Sequence, residues 1–514
     1  MPSEFDNLKD ILKDEFSNKI QISGKFGIEK ESLRIHDNNL SKRPHSKKLG
    51  SALCNKIITT DFSESLIELV TPAFQDINQT HSYLDSIEHY VANNNDDETL
   101  WPLSMPPFIE SDEDIKIARY GKSNIAQLKR SYREGLSLRY GRMMQAIAGI
   151  HYNYSFSESF ITSIAKIFDI SDREKASEIL YFRTLRNIKR FNWLILYLFG
   201  ASPAVPKSFE IRSLKNVIEL DDCYLMPFAT SLRMSDIGYQ NSQQSSINIS
   251  FDNLDSYTKD LLLATRIENR EFINLSKNPS HENGQLSSSL LQIEDEYYAE
   301  ARPKSSNISE IRQLLKLKRY GIDYLELRSI DLNPFERTGI DLNGMKFLEK
   351  FLIYCAIKES PKISKMEHKY CNKNSLNVAH RGRYSELELI KNSKKIKIKD
   401  WAKEILDDIQ VIEQRLESEP TNSDNFWSLI ENPDQTISGK IFQKIESKEY
   451  SFHALGHEIS SLNKDFYTRK TPKWNPHLDE IKNECDNSIQ EQIHLELQDS
   501  VDFDEYFKNF MTMD

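Results

Sequence analysis

Two periods alternate along the first third of the chain. The stretch "FGIEKESLRI", Phe26 to Ile35, switches between polar and apolar positions as a strand does, and "IITTDFSESLIELVTP" follows it in the same style. The stretch "HSYLDSIEHYVANNN" then repeats apolar residues at three and four, which predicts an amphipathic helix, until the prolines of "WPLSMPP" interrupt it. A second helical stretch, "SNIAQLKRSYREGLSLRYG", runs directly into "MMQAIAGIHYNYSF", whose alternation predicts a strand; "YLELRSIDLNP" predicts another, closed by Asn333 and Pro334. Beyond about residue 340 the periodicity is almost entirely helical, as in "DWAKEILDDIQVIEQRLES". The organisation expected is a sheet core with associated helices over residues 1–340 and a helical layer over 341–514, packed on the core and not an independent domain. There is no fixed-period repeat and no low-complexity linker.

Composition narrows the setting. The chain has 514 residues, 39% hydrophobic and 28% charged, which suits a folded globular protein with a large core. Its net charge of -11 opposes nucleic-acid or anionic-membrane partners. The five cysteines (Cys54, Cys223, Cys355, Cys371, Cys485) form no C-x-x-C pair and read as free thiols in a reducing compartment. The opening "MPSEFDNLKDILKDEFSNKI" lacks the apolar core of a signal peptide, and the apolar run "WLILYLF" is too short to span a bilayer, so a cytoplasmic location without membrane contact is expected. The basic run "KNSKKIKIKD" reads as a solvated face. The stretch from about 275 to 310, with "LSKNPSHENGQLSSSL" and "ARPKSSNISE", has the composition of a surface loop or a substrate lid.

The polar faces of the strands carry the candidate chemistry. With a period of two, Glu29 and Glu31 share a face, as do Glu326 and Arg328, while Gln145, His151 and Asn153 fall together in their own stretch. Asp61, Glu64 and Glu68 are close in sequence. Each could be an ordinary solvated face, with Lys30 and Arg34 offsetting the glutamates, and His151 could be a core histidine. If the strands are neighbours in one antiparallel sheet, however, Glu29, Glu31, Asp61, Glu68, His151 and Glu326 converge, and such a carboxylate cluster requires cations. Magnesium prefers carboxylate oxygens and is commonly completed by substrate phosphates. Neither G-x-x-x-x-G-K-[ST] nor G-x-G-x-x-G occurs, so a sheet-and-metal nucleotide site is expected rather than a P-loop.

On these residues the chain resembles the glutamate–cysteine ligases (gamma-glutamylcysteine synthetases) of the monofunctional bacterial class. The motifs "GIEKESLR", "ITTDFSESLIELVTP", "WPLSMP", "YREGLSLRYG", "GIHYN", "FGASPA", "ATSLRMSDIGY" and "YLELRSIDLNPF" occur in the family's order and spacing. The resemblance implies an α+β fold: a twisted antiparallel sheet with a concave active-site face, flanked by helices and related to that of glutamine synthetase. It implies ATP as co-substrate with L-glutamate and L-cysteine, Mg2+ or Mn2+ as cofactor, a gamma-glutamyl phosphate intermediate, the first step of glutathione biosynthesis, glutathione as a feedback inhibitor, and a monomer. It further implies Glu29, Glu31, Asp61, Glu68, His151 and Glu326 as metal ligands and Arg328 at the transferring phosphate. Tyr132, Arg133, Leu136, Gln145, Arg233 and Tyr239 are implied as the cysteine pocket. Without the resemblance, Tyr132 and Leu136 would read as a helix's buried stripe and Arg133 as a surface charge. The alternatives are a related ATP-dependent carboxylate–amine ligase with another amine acceptor, and a noncatalytic metal-binding or interaction protein. No general base for the cysteine amine and no adenine-binding residue is legible.

Overall fold

A computed structural model describes residues 24–209, 211, 216–239, 244, 247–275, 284–307, 311–415, 423–469 and 475–512. The opening stretch read for a signal peptide lies outside these residues, and so do 276–283 and 308–310 of the loop read as a lid.

The alternating stretches form one antiparallel sheet. Its strands are β1 (Lys25–His36), β2 (Ile58–Thr60), β3 (Leu66–Val70), β4 (Ile150–Ser155), β5 (Ala301–Lys304) and β6 (Tyr324–Ile330), in the order β5-β6-β4-β1-β3-β2. Two short strands, Asn39–Leu40 and Thr99–Leu100, extend the far end of β1. Pro303 is tolerated in β5 because that strand is an edge, where a missing N–H leaves no interior ladder bond unmade.

One face of the sheet is covered by helices. Helix α1 (Ile77–Asn94), capped by the Asp76 carboxylate accepting from Asn78 N, packs on β1. Helix α3 (Arg173–Phe199), capped by Asp172, packs on β5 and β6, and "WLILYLF" is its buried C-terminal run. Helix α4 (Leu342–Ile357) joins them, and the Tyr152 hydroxyl of β4 donates to the Met345 carbonyl at 3.1 Å. The face beneath these helices is not wholly apolar. Lys30 and Arg34 of β1 point into it and pair with Glu88 of α1 and with Glu98, so they do not offset Glu29 and Glu31 on the other side. Burying these charges is tolerable only because each has a carboxylate partner.

Helix α2 (Asn124–Tyr140), capped by Ser123 and ended by Gly141 at φ 77°, accounts for the second helical stretch. The strand expected over "MMQAIAGIHYNYSF" is confined to Ile150–Ser155. Gln145 closes a short helical turn, Arg142–Gln145, so it does not share a strand face with His151 and Asn153. The rear of the chain is mainly helical, with α5 (Lys365–Arg381) and α6 (Ile398–Arg415) among its elements. Between them the basic run forms a hairpin, β7 (Glu388–Lys391) and β8 (Lys394–Lys397), where a helical pattern was expected. Asn392 and Ser393 take φ values of 49° and 64° there, as a two-residue hairpin turn requires. Its lysines pair with Glu386, Glu388 and Glu404, in keeping with a solvated face. No described helix is long and apolar enough to cross a membrane, and all five cysteines are free.

Candidate active site

Register brings the polar faces together. Residues directly opposite in an antiparallel pair lie on the same face, and β1 sets Glu29 opposite His151 and Glu31 opposite Glu68. On β4 and β6, Asn153 stands opposite Glu326, which in turn faces Arg302 of β5. The open face therefore collects Glu29, Glu31, Glu68, His151, Asn153 and Glu326. Asp61 lies in the bend between β2 and β3, held by its N–H donating to the Leu66 carbonyl at 3.0 Å. Its own carbonyl accepts from the Tyr120 hydroxyl at 2.7 Å and from Arg133 Nε, and its negative charge acts on both Glu31 and Glu68.

His151 sits at the centre of the carboxylates. Its Nδ1 is 3.0 Å from Glu29 Oε2 and 3.7 Å from Glu326 Oε1, while its Nε2 is 3.7 Å from Glu31 Oε1. Asn153 Nδ2 donates to Glu29 Oε1 at 2.8 Å, and the Gly149 N–H donates to Glu31 Oε2 at 2.8 Å, which fixes both carboxylates. Two sets, Glu29–His151–Glu326 and Glu31–Glu68–His151, each place ligand atoms within 4.8 Å of one another. The carboxyls respond to the crowding. Glu68 is raised well above the usual carboxylate range by removal from water and then by Glu29, Asp61, Glu31 and Glu326. Glu31 is raised by burial, with His151 pulling the other way. Burial alone would raise Glu326 too, but Arg328, Lys304 and His151 outweigh it and hold it well below its usual value. Arg328 Nη1 is 2.9 Å and Lys304 Nζ 3.5 Å from Glu326 Oε2. A donor set of acids and one imidazole, with Glu31 and Glu68 driven toward protonation by burial and by neighbouring carboxylates, fits hard divalent cations.

Beside the carboxylates a cavity of about 60 Å³ opens between Glu31, His151, Arg233, Tyr239, Tyr298 and Arg328. Arg233 is buried; its Nη2 donates to the Arg328 carbonyl at 3.0 Å and its guanidinium lies 5.3 Å from the Tyr239 ring centre. The Tyr239 hydroxyl donates to the Ile147 carbonyl at 2.7 Å, and its ring is 5.2 Å from that of Tyr298. Gln145 Nε2 donates to the Tyr298 hydroxyl at 2.9 Å, which ties Gln145 to this wall although it is not in the strand.

Tyr132, Arg133 and Leu136 lie outside the lining of this cavity. Tyr132 and Leu136 are one turn apart on α2, with Leu136 in the main core and Tyr132 bridging that core and a small cluster around Leu128 and Phe503. Arg133 turns toward Tyr120, 4.7 Å from its ring, and toward the Asp61 carbonyl. The sequence reading passed over Asn153 as a ligand-orienting group, and passed over Lys304, Tyr298 and Gly149. Lys304 has a sequence signal, since Arg302 and Lys304 alternate around Pro303, but the proline makes "ARPK" read as loop. Tyr298 lies in an irregular segment with no periodicity to mark it.

The glutamate-cysteine ligase family profile matches residues 9–378. A glutamate–cysteine ligase of Pseudomonas putida (strain W619) is 38% identical over 488 residues, covering 93% of this chain and 93% of that protein. One from Aliivibrio salmonicida is 36% identical over 505 residues, covering 94% and 95%. Among solved structures, glutamate–cysteine ligase from Francisella tularensis in complex with AMP superposes with a TM-score of 0.88 at 34% identity, covering 95% of this chain and 98% of that one. A bifunctional glutathione synthetase from Pasteurella multocida shares the fold, with a TM-score of 0.71 at 24% identity over 91% of this chain and 55% of the other.

Proposed function

The chain belongs to the glutamate–cysteine ligase family, and we infer that it performs that family's reaction with the residues gathered on the open face of its sheet. It is an ATP-dependent ligase that joins the gamma-carboxylate of L-glutamate to the amino group of L-cysteine, the first step of glutathione synthesis. Hydroxide is a poor leaving group, so the carboxylate must be activated first. A gamma-carboxylate oxygen attacks the terminal phosphorus of ATP, the bond to the bridging oxygen breaks, and ADP leaves. The cysteine nitrogen then attacks the gamma-carbonyl carbon of the acyl phosphate, a proton leaves the nitrogen, and the C–O bond to phosphate breaks.

The observation that carries the assignment of roles is the convergence of two carboxylate sets on His151 next to a buried arginine. Glu29, His151 and Glu326 form one divalent-cation position, and Glu31, Glu68 and His151 another, with Asp61 contributing charge from the adjoining bend. Magnesium or manganese there would neutralise phosphate oxygens and hold the triphosphate in line. Arg328, paired with Glu326, is the group assigned to the transferring phosphoryl, and Lys304 pairs with the same carboxylate from the sheet edge. Arg233, Tyr239, Tyr298 and Gln145 form the acceptor side: the guanidinium receives the cysteine carboxylate and the rings border the side chain. Arg133 orders the Asp61 bend. Tyr132 and Leu136 shape the helix behind the acceptor side. A monomer is expected, and glutathione, which contains the product, is the expected inhibitor.

Phosphate release measured with ATP and glutamate, with cysteine compared against other amines, tests the reading. Release strongly favouring cysteine and requiring a divalent metal is expected. Equal or greater turnover with another amine would assign the chain to a different carboxylate–amine ligase activity.

A further inference from the structure

A second, half-open cavity lies on the helical side of the molecule and shares no lining residue with the one beside the carboxylates. It is a cavity of about 440 Å³ between α3, α4, α5, α6 and the β7-β8 hairpin, within the usual size range of small-molecule sites. Its floor is aromatic. Phe191 lies 5.3 Å from Tyr354 and 6.3 Å, nearly edge-on, from Trp401, measured between ring centres, and all three are buried. The hairpin wall is fixed: Asn374 of α5 donates to the Ile390 carbonyl at 2.8 Å and accepts from the Ile390 N–H at 2.9 Å.

Three ion pairs line the cavity: Arg190 of α3 with Glu367 of α5, 2.6 Å apart, and two that border the aromatic floor. Lys358 Nζ is 2.9 Å from Asp408 and 5.7 Å from the Tyr354 ring centre. Lys391 pairs with Glu404 and stands 5.8 Å from the Trp401 ring centre. Glu404 and Asp408 are one turn apart on α6, so both pairs face the same space. Pairs that remain partly exposed contribute little to stability and can be opened at small cost. A ligand of one sign that opened such a pair would leave its other member without a counter-charge beside an apolar floor. A zwitterion satisfies both members, its carboxylate taking a lysine and its ammonium an acid.

We propose that this cavity is a second small-molecule site, distinct from the ligase site, which takes a zwitterion with an apolar or aromatic body: a free amino acid or a short peptide. The body stacks on Phe191, Tyr354 and Trp401 while its charges insert into the Lys358–Asp408 and Lys391–Glu404 pairs.

Calorimetric titration of the full chain, with Mg2+, ADP and glutamate present at saturation, tests this. L-phenylalanine and glycyl-phenylalanine are the probes, and 3-phenylpropanoate and phenethylamine are the single-charge controls. At least one zwitterion should bind, showing which source of the shared chemistry fits, and each control should bind about tenfold more weakly or worse. Cys371→Phe, which fills the cavity from α5, and Lys391→Met, at the partly exposed rim, should each abolish or strongly weaken binding while ligase turnover stays within about twofold. Should Cys371→Phe fail to fold, Lys391→Met decides. Absence of binding by both zwitterions at millimolar concentration, binding unaltered in a folded variant, or controls as tight as the zwitterions would overturn the proposal.

Discussion

Gly149 offers the sharpest test of the acceptor side, because a single methyl group there collides with one side chain. A Cβ built on Gly149 would lie 2.1 Å from Arg233 Nη2, 2.3 Å from Cζ and 2.5 Å from Nε. Position 149 is not among the positive-φ glycines, so alanine is tolerated by the backbone, and the bonds of Gly149 N–H and C=O to Glu31 need not change. The guanidinium must therefore move by an ångström or more. In moving it gives up its bond to the Arg328 carbonyl at 3.0 Å and its 5.3 Å approach to the Tyr239 ring. A charge-assisted hydrogen bond is worth about 1.5–3 kcal/mol and a desolvated cation–π contact about 2 kcal/mol, of which only part is lost if the guanidinium finds new partners. A loss of about 2 kcal/mol in acceptor binding corresponds to roughly a 30-fold rise in KM. Gly149→Ala should thus raise the KM for cysteine by about 10- to 100-fold, with the KM for ATP within about twofold of the parent. A coupled ADP-release assay, varying one substrate at a time, measures this, and a thermal melt reports whether the core has repacked. An unchanged KM for cysteine in a folded variant, or an equal rise for ATP, would refute the placing of the cysteine carboxylate on Arg233.

The metal face, the buried charges and the pH response make further tests. Glu29→Gln and Glu326→Gln keep side-chain size while removing a ligand charge, and each should lower turnover by about 100-fold or more and weaken Mn2+ binding read by electron paramagnetic resonance. Normal activity in both would remove the metal assignment. Lys30→Met strands Glu88 in the layer between sheet and α1; breaking a buried pair in this way costs about 3–5 kcal/mol, so urea unfolding should shift while the KM values of the folded fraction hold. Because burial, with neighbouring carboxylates, raises Glu68 and Glu31, and a carboxyl must be ionised to ligate a cation, Mn2+ affinity should begin to fall with decreasing pH above the range in which an ordinary carboxylate titrates. Glu68→Gln should flatten that slope, and a slope identical to the parent's would show that Glu68 is not the titrating group.

The motif-bearing strands were legible because a strand's period is fixed by local geometry. Glu29 with Glu31, His151 with Asn153 and Glu326 with Arg328 share faces in the structure as their spacing predicts. The period failed where an irregular run imitates it, as in "MMQAIAG", where Gln145 ends a helical turn. It failed also where lysines and isoleucines suit helix and strand alike, as in the β7-β8 hairpin, whose turn residues were the available signal.

Alternation along each segment and the absence of a phosphate-binding glycine loop are properties of neighbouring residues, and the surplus of acid is a sum over the chain, so all of them can be read without knowing how the chain folds. Which strand lies beside which was decided by tertiary structure, and with it the pairing of Glu31 with Glu68 and Glu29 with His151 that makes separate acids one cluster. The same holds for Lys30 and Arg34, whose charges pass to the helix side, and for Tyr298 and Arg233, which reach the site from an irregular segment and from a short 3-10 turn. Spacing along a chain fixes the direction of a side chain relative to its own backbone, but the distance between residues far apart in sequence follows from packing, which no local period encodes.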